Sequence, residues 1–112
     1  MPRLIQAIAE SGFKISEVVS GMARGADTLG EMWALEHGVA VMQFPALWNV
    51  FGKRAGMIRN KAMACYADAL IALWDGQSPG TEHMIREASS HKIPIHIARI
   101  NDSLKQGESL DK

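Results

Sequence analysis

A single cysteine, Cys65, excludes an internal disulfide and a zinc site built from several cysteines. Its setting, Met63-Ala-Cys-Tyr66, predicts a buried small hydrophobe rather than a nucleophile. Charge of one sign is not in excess: twelve basic and twelve acidic residues give a formal net charge of zero. Bulk charge therefore supports neither sequence-independent nucleic-acid binding nor attachment to a membrane surface. No apolar run approaches the roughly 20 residues of a membrane span. The opening Met-Pro-Arg-Leu-Ile-Gln-Ala-Ile-Ala-Glu lacks the apolar core and cleavage site of a signal peptide. The expectation is a cytoplasmic protein with no membrane partner. His37, His83, His91 and His96 fall in separate stretches without a carboxylate or cysteine at metal-ligand spacing, so neither a metal site nor a cofactor is expected. The P-loop lysine, the GxGxxG fingerprint and the small-residue frame of a nucleophile elbow are missing as well.

What is present is an ordinary globular composition. Apolar residues make up 47% and charged residues 21% of 112, enough for one domain with its own core. Strand-like and helical patterns alternate. Leu4, Ile5, Ile8 and Ala9 show helical spacing that Ser11-Gly12 ends. Residues 15–20 read as a first strand, and the helix after it carries Leu29, Met32 and Trp33 and stops at His37-Gly38. Residues 39–44 form a second strand closed by Pro45, and 45–54 is the longest irregular connection. A helix over 55–67, a strand over 68–74, a helix over 80–91 and a last strand over 93–99 complete the order, with Pro94 suited to an edge position. Residues 1–100 are thus one domain, and the polar run 101–112 is expected to be a flexible tail. The alternation predicts an α/β fold: a Rossmann-like three-layer α/β/α sandwich with a mainly parallel sheet. Such folds usually begin with a strand, whereas this chain begins with a helix.

The stretch Asp75-Gly-Gln-Ser-Pro-Gly-Thr81 joins the apolar strand Ala-Leu-Ile-Ala-Leu-Trp74 to a helix carrying Met84, Ile85 and Ala88. Ligands bind open α/β sheets at such strand ends, and a helix N-terminus favours an anion. Gly76 and Gly80 permit close backbone approach, and Ser78 and Thr81 add hydroxyls. An ordinary turn with Thr81 near an N-cap accounts for the same residues. A second junction, Ser20-Gly-Met-Ala-Arg-Gly-Ala-Asp27, offers Arg24 to clamp a phosphate and Asp27 to accept from a ribose hydroxyl. Their alternative is an ion pair and a favourable first-turn charge. A third holds Lys53, Arg54, Arg59 and Lys61 without an acid, with Trp48 and Phe51 nearby to stack on a base. A solvated helix face explains Lys53, Arg54 and Lys61; Arg59 is the stronger site candidate. Asp75 and Glu82 are the remaining acid/base groups.

Together, Val18-Val-Ser-Gly-Met-Ala-Arg-Gly-Ala-Asp27, Phe44-Pro-Ala-Leu-Trp48, Gly56-Met-Ile-Arg-Asn60 and Asp75-Gly-Gln-Ser-Pro-Gly-Thr81 resemble the YspA-like group of the SLOG superfamily over about residues 15–97. The resemblance implies a Rossmann-like fold whose strand-end loops bind a nucleotide or nucleotide-derived ligand, as a sensor or sequestering protein. Related groups include the LOG phosphoribohydrolases, which cleave the N-glycosidic bond of nucleoside 5'-monophosphates, and the DNA-processing protein DprA. By position, Gly21, Arg24, Gly25 and Asp27 match the first glycine motif, Arg59 the arginine of the LOG arginine-lysine pair, and Gly80 and Thr81 the phosphate loop. The chain departs from LOG where Met84 replaces a glutamate and Asn60 a lysine, so hydrolysis with Arg59 as partner would need Glu82 instead. DNA binding of the DprA kind ranks behind both, given the zero net charge. The resemblance also implies a strand and a further glycine loop before the first helix, and nothing before Pro2 can supply them. A shortened form or a late start would each leave a sheet position open, so a homo-oligomer is expected.

Overall fold

A computed structural model describes residues 2–23 and 25–100; Arg24 and the expected tail 101–112 lie outside the described residues. The first helix, α1, spans Pro2–Ser11 and buries Leu4 and Ala7. Proline suits its opening position because its missing N–H would have no partner there. It ends where Ser11 Oγ donates to the Ile8 carbonyl (2.7 Å) and accepts from the Phe13 N–H (3.1 Å), with Gly12 in the left-handed region. Strand β1 (Glu17–Ser20) leads to α2 (Ala26–His37), which closes on Gly38 with φ 65°. The Gly38 N–H donates back to the last turn of α2, as a left-handed C-terminal glycine does. Strand β2 is Ala40–Gln43.

The connection expected to be irregular contains a one-turn helix, α3 (Trp48–Phe51), and a 3-10 turn over Gly52–Arg54 that runs into α4 (Ala55–Tyr66). Strand β3 (Leu70–Trp74), helix α5 (Pro79–Ser90) and strand β4 (Ile95–Arg99) complete the chain. Each strand is shorter than the stretch expected from the sequence. Among the described residues no helix is long and apolar enough to cross a membrane.

All pairing among the described strands is parallel, in two βαβ units. β1 pairs with β2 from Glu17 opposite Ala40 to Ser20 opposite Gln43, and β3 with β4 from Leu70 opposite Ile95 to Trp74 opposite Arg99. Where one continuous sheet was expected, the described strands form two separate two-stranded sheets. Between β1 and β3 lies a cavity of about 480 Å³, so no ladder connects the pairs. Helices join them: α1 packs on β3, β4 and α2, while α4 packs on α5. Arg3 Nη2 ties the start of α1 to the Arg99 carbonyl.

Of the eight buried apolar residues among those described, six are alanines, so elements approach closely while each residue removes little area from water. The larger strand residues Val18, Val19, Ile71 and Leu73 stay half-buried. Gly30 sits inside α2, where a Cβ would meet only Val18 Cγ1 at 3.6 Å, an ordinary contact. Gly30→Ala is therefore expected to stabilise the fold by about 0.5–1 kcal/mol, by the helix propensity it gains. Urea denaturation checks this; an unchanged or lower midpoint would show that α2 needs the glycine.

Candidate functional site

The first loop is built on Ser20, which is fully buried. Its hydroxyl donates to Glu31 Oε2 (2.5 Å) and accepts from the Met22 N–H (3.1 Å). Its carbonyl accepts from the Phe44 N–H (2.7 Å), which carries the β1–β2 ladder past the strand ends. The chain then turns through Met22, at φ 62°, and Gly25, at φ 82°. Asp27, in the first turn of α2, accepts from the Ala23 N–H at 3.1 Å. Burial raises the Asp27 carboxyl above its ordinary value; the Ala23 N–H, the Arg59 guanidinium and the Gly21 N–H pull the other way, and Glu31 adds to the rise.

Arg59, one turn into α4, reaches this loop. Its Nη1 donates to the Gly21 carbonyl at 2.5 Å and its Nε to Asn60 Oδ1 at 2.9 Å. Buried Asn60 continues the chain, its Nδ2 donating to the Gly80 carbonyl (3.4 Å) and to His83 Nδ1 (3.1 Å). His83 Nε2 stands 3.5 Å from Glu87 Oε2. One polar chain thus runs from the end of β1, through α4, to the start of α5. A Cβ on Gly21 would lie 2.8 Å from Arg59 Cδ, so any side chain there would force the Arg59 side chain to shift. Trp48 is exposed and comes over Gly56, where a Cβ would lie 3.5 Å from Trp48 Cη2 and 3.7 Å from Arg59 Nη2. Beside Arg59, a hollow of about 260 Å³ is walled by Phe44, Pro45, Leu47, Phe51 and Ile58.

The third loop is organised by Asp75. Its Oδ1 accepts from the N–H groups of Gln77 (2.8 Å) and Ser78 (2.7 Å), and its Oδ2 from Ser78 Oγ (3.0 Å). Gly76 takes φ 85° at the corner, and Trp74 Nε1 donates to the Ser78 carbonyl at 3.2 Å. Ser78 is the N-cap of α5, yet among the described residues no side-chain hydrogen bond caps that end. The first intrahelical donor is Glu82 N–H, to the Ser78 carbonyl at 3.1 Å. Pro79 has no N–H, so Gly80 and Thr81 supply the open donors of the first turn.

Ser20, Gly21, Asp27, Arg59 and Gly80 are therefore brought into one neighbourhood, with Thr81 beside them and Trp48 at its rim. Gly25 opens α2, and Asp75, Gly76 and Ser78 form the turn that presents α5. Glu82 is exposed, and among the described residues no hydrogen bond links it to Arg59. Lys53, Arg54 and Lys61 are exposed. Glu31, Asn60, His83 and Glu87 join the site although sequence reasoning does not place them there. The i,i+4 spacing of His83 and Glu87 is a visible signal; nothing in the sequence connects Ser20 to Glu31.

Cys65 corrects an expectation. It is exposed, because the buried stripe of α4 runs through Ala55, Asn60, Met63 and Ala64 and leaves the next residue outside. Its Sγ stands 3.2 Å from His91 Nε2. His83 of α5 and His91, the residue that caps its C-terminus, both approach Glu87 rather than standing apart. Among the described residues no group of three or more His, Cys, Asp or Glu is placed to hold a metal ion.

Two outcomes are expected from this geometry. Gly21→Ala should displace Arg59 and cost about 1–3 kcal/mol, as overpacking does; equilibrium denaturation measures it, and a neutral result would mean that Arg59 moves aside freely. For Asp27, a raised folded pKa means that its stabilising contribution is complete below the unfolded value and is lost as pH rises through the folded value. Asp27→Asn, which still accepts from Ala23, should therefore match or exceed the parent in stability at neutral pH and lose that advantage in acid. Denaturation at both pH values tests the sign.

The chain is 40% identical over 84 residues to the gene 61 protein of Mycobacterium phage D29, covering 70% of this chain and 67% of that protein. No family model matches, and no solved structure matches. Identity at that level over two thirds of both chains establishes common descent, and the chain belongs to the family of that mycobacteriophage protein.

Proposed function

We propose that the strand-end loops bind a nucleotide or nucleotide-derived ligand, and that the protein acts as a sensor or sequestering protein on a Rossmann-like three-layer scaffold. The observation that carries the reading is the Arg59–Asn60 bridge, which holds the loop after β1 against an α5 N-terminus that no described side chain caps. The motif resemblance to the YspA-like group points to the same loops.

In this reading the N–H groups of Gly80 and Thr81 take phosphate oxygens, favoured by the positive end of the α5 dipole. Ser78 spends its own N–H and hydroxyl on Asp75, and so shapes the loop rather than donating to the ligand. Arg59 uses Nη1 and Nε internally, which leaves Nη2 as the prong a phosphate would meet. Asp27 accepts from a ribose hydroxyl, and Arg24, outside the described residues, adds charge from the first loop. The base lies against Trp48 and the apolar hollow beside Arg59. Glu82 has no part in this arrangement, so the ligand is held without cleavage.

Calorimetric titration with AMP, ADP-ribose and a cyclic dinucleotide, with chromatography of the recovered ligand, tests the reading. One of them binds and returns intact. Arg59→Ala weakens that binding by about 1.5–3 kcal/mol, the scale of a hydrogen bond to a charged group. An Arg59→Ala affinity equal to that of the parent would sink the phosphate role, and release of free base would replace binding by hydrolysis. Because ribose is bound by ionised Asp27, affinity falls on acidification, beginning at a higher pH than an ordinary aspartate would dictate.

A further inference from the structure

The formal net charge of zero is an average over two unlike parts of the chain. Between Glu36 and Asp68 there is no acidic residue, while Lys53, Arg54, Arg59 and Lys61 all fall in that interval. The rest of the chain therefore carries twelve acids against eight bases. The basic interval also presents a cluster of apolar side chains to solvent. Residues 47–54, Leu-Trp-Asn-Val-Phe-Gly-Lys-Arg, are exposed without a break over α3 and the 3-10 turn. Within this run Trp48 is 57% and Val50 69% exposed, and Leu47 and Phe51 are exposed as well. Met57, in the first turn of α4, adds a fifth large apolar side chain. Lys61, four residues further and on the same side of that helix, is exposed too.

The backbone beneath this face is ordered. The N–H groups of Val50 and Phe51 both donate to the Leu47 carbonyl, at 3.0 and 2.9 Å, and the Gly52 N–H donates to the Trp48 carbonyl. α3 packs on the 3-10 turn and on α4. Apolar side chains held out in water on a fixed backbone, with cations beside them, mark a contact surface. The chemistry of the surface separates its possible occupants. A second copy related by two-fold symmetry would bring Lys53 and Arg54 against the same residues of its partner, with no acid nearby to pair them. A nucleic-acid strand would stack on Trp48 and Phe51, but Leu47, Val50 and Met57 offer no ring to a base and would stay in water. A bilayer bearing anionic headgroups accommodates all five apolar side chains and the cations together.

We infer that α3 and the 3-10 turn after it form a docking face for an anionic lipid surface. Leu47, Trp48, Val50 and Phe51 enter the headgroup boundary, where tryptophan is at home because its ring is apolar and its N–H polar. Lys53, Arg54 and Lys61 meet the lipid anions, each raising the partition by about fivefold. Neither contribution holds a protein on a bilayer alone, and the two together give reversible attachment. The whole-chain charge conceals this, because the acids that cancel the basic interval lie elsewhere in the sequence. Leu47, Trp48 and Phe51 also border the place given above to the base, so this face shares a rim with the nucleotide reading. Val50, Lys53 and Arg54 have no part in that reading, and the test rests on them.

The probe is a vesicle of phosphatidylcholine with or without phosphatidylserine, sedimented with the full chain at low salt and without nucleotide. The protein should bind the vesicles that contain phosphatidylserine, and its tryptophan emission should shift to the blue. Val50→Asp, which puts a charge at the most exposed apolar position of the run, should weaken binding by about tenfold or more. Lys53→Glu with Arg54→Glu should weaken it by about 25-fold or more, and added salt should act in the same direction. All three positions are exposed, so both variants keep the circular dichroism of the parent, and any nucleotide affinity stays unchanged in them. Failure of the nucleotide reading would leave the vesicle result standing, and the reverse. Equal binding by parent and variants, or to vesicles without phosphatidylserine, would reduce the effect to adsorption and overturn the inference, as would no binding at millimolar lipid. Affinity for single-stranded DNA that the charge variant loses and Val50→Asp keeps would assign the face to nucleic acid instead. A dimer that Val50→Asp dissociates would assign it to a second copy.

Discussion

The guanidinium of Arg59 in contact with the Gly21 carbonyl is the constraint that sets the arrangement of the loops. A residue on α4 reaches 38 positions back along the chain and seizes the peptide group at which β1 ends. A side chain at 21 could be accommodated only if Arg59 gave up this position. It also places positive charge beside Asp27, partly offsetting the burial of that carboxylate. Through Asn60 it extends to Gly80 and His83. Take away Arg59 and Asn60, and the loop after β1 loses its polar connection to the start of α5.

The loops differ in how they are held. Asp75 satisfies its own turn with three local hydrogen bonds, an arrangement any Asp-x-x-Ser turn can form. The first loop instead depends on distant groups, Glu31 and Arg59, and passes through a left-handed methionine. Conformations of that kind persist where surrounding contacts over-determine them. The start of α5, presented by the third loop, and the first loop with its left-handed methionine are linked through Arg59 and Asn60.

The order of helices and parallel strands is legible in the sequence because each element carries enough periodic residues to declare itself. The αL glycine at 38 and the proline at 79 mark their helix ends for the same local reasons. The one-turn helix Trp48–Phe51 is not legible: four residues are too few to show a period, and its position depends on the 3-10 turn and α4 that succeed it. Gly21, Asp27, Arg59 and Gly80 stand out in the sequence as candidate ligand contacts, yet their contacts with one another are hidden, since pairings across 20 to 38 residues leave no pattern in the chain. Cys65 misleads because its apolar neighbours suggest burial, while the helical period turns it outward by one step from Ala64. That the strands make two pairs rather than one sheet depends on which edges meet, and strand composition does not encode that.

The division into two ladders has a consequence for how the chain folds. Glu17 finds Ala40 and Leu70 finds Ile95 within a single crossover each, so every strand pairing is completed inside one βαβ unit. No pairing has to wait for the far half of the chain, which keeps loop-closure entropy low and removes the slow step of long-range sheet assembly. Cooperativity between the halves then depends on side chains alone, through helix packing and the Arg59–Asn60 bridge. A division of that kind is what lets parts of a native structure open one at a time.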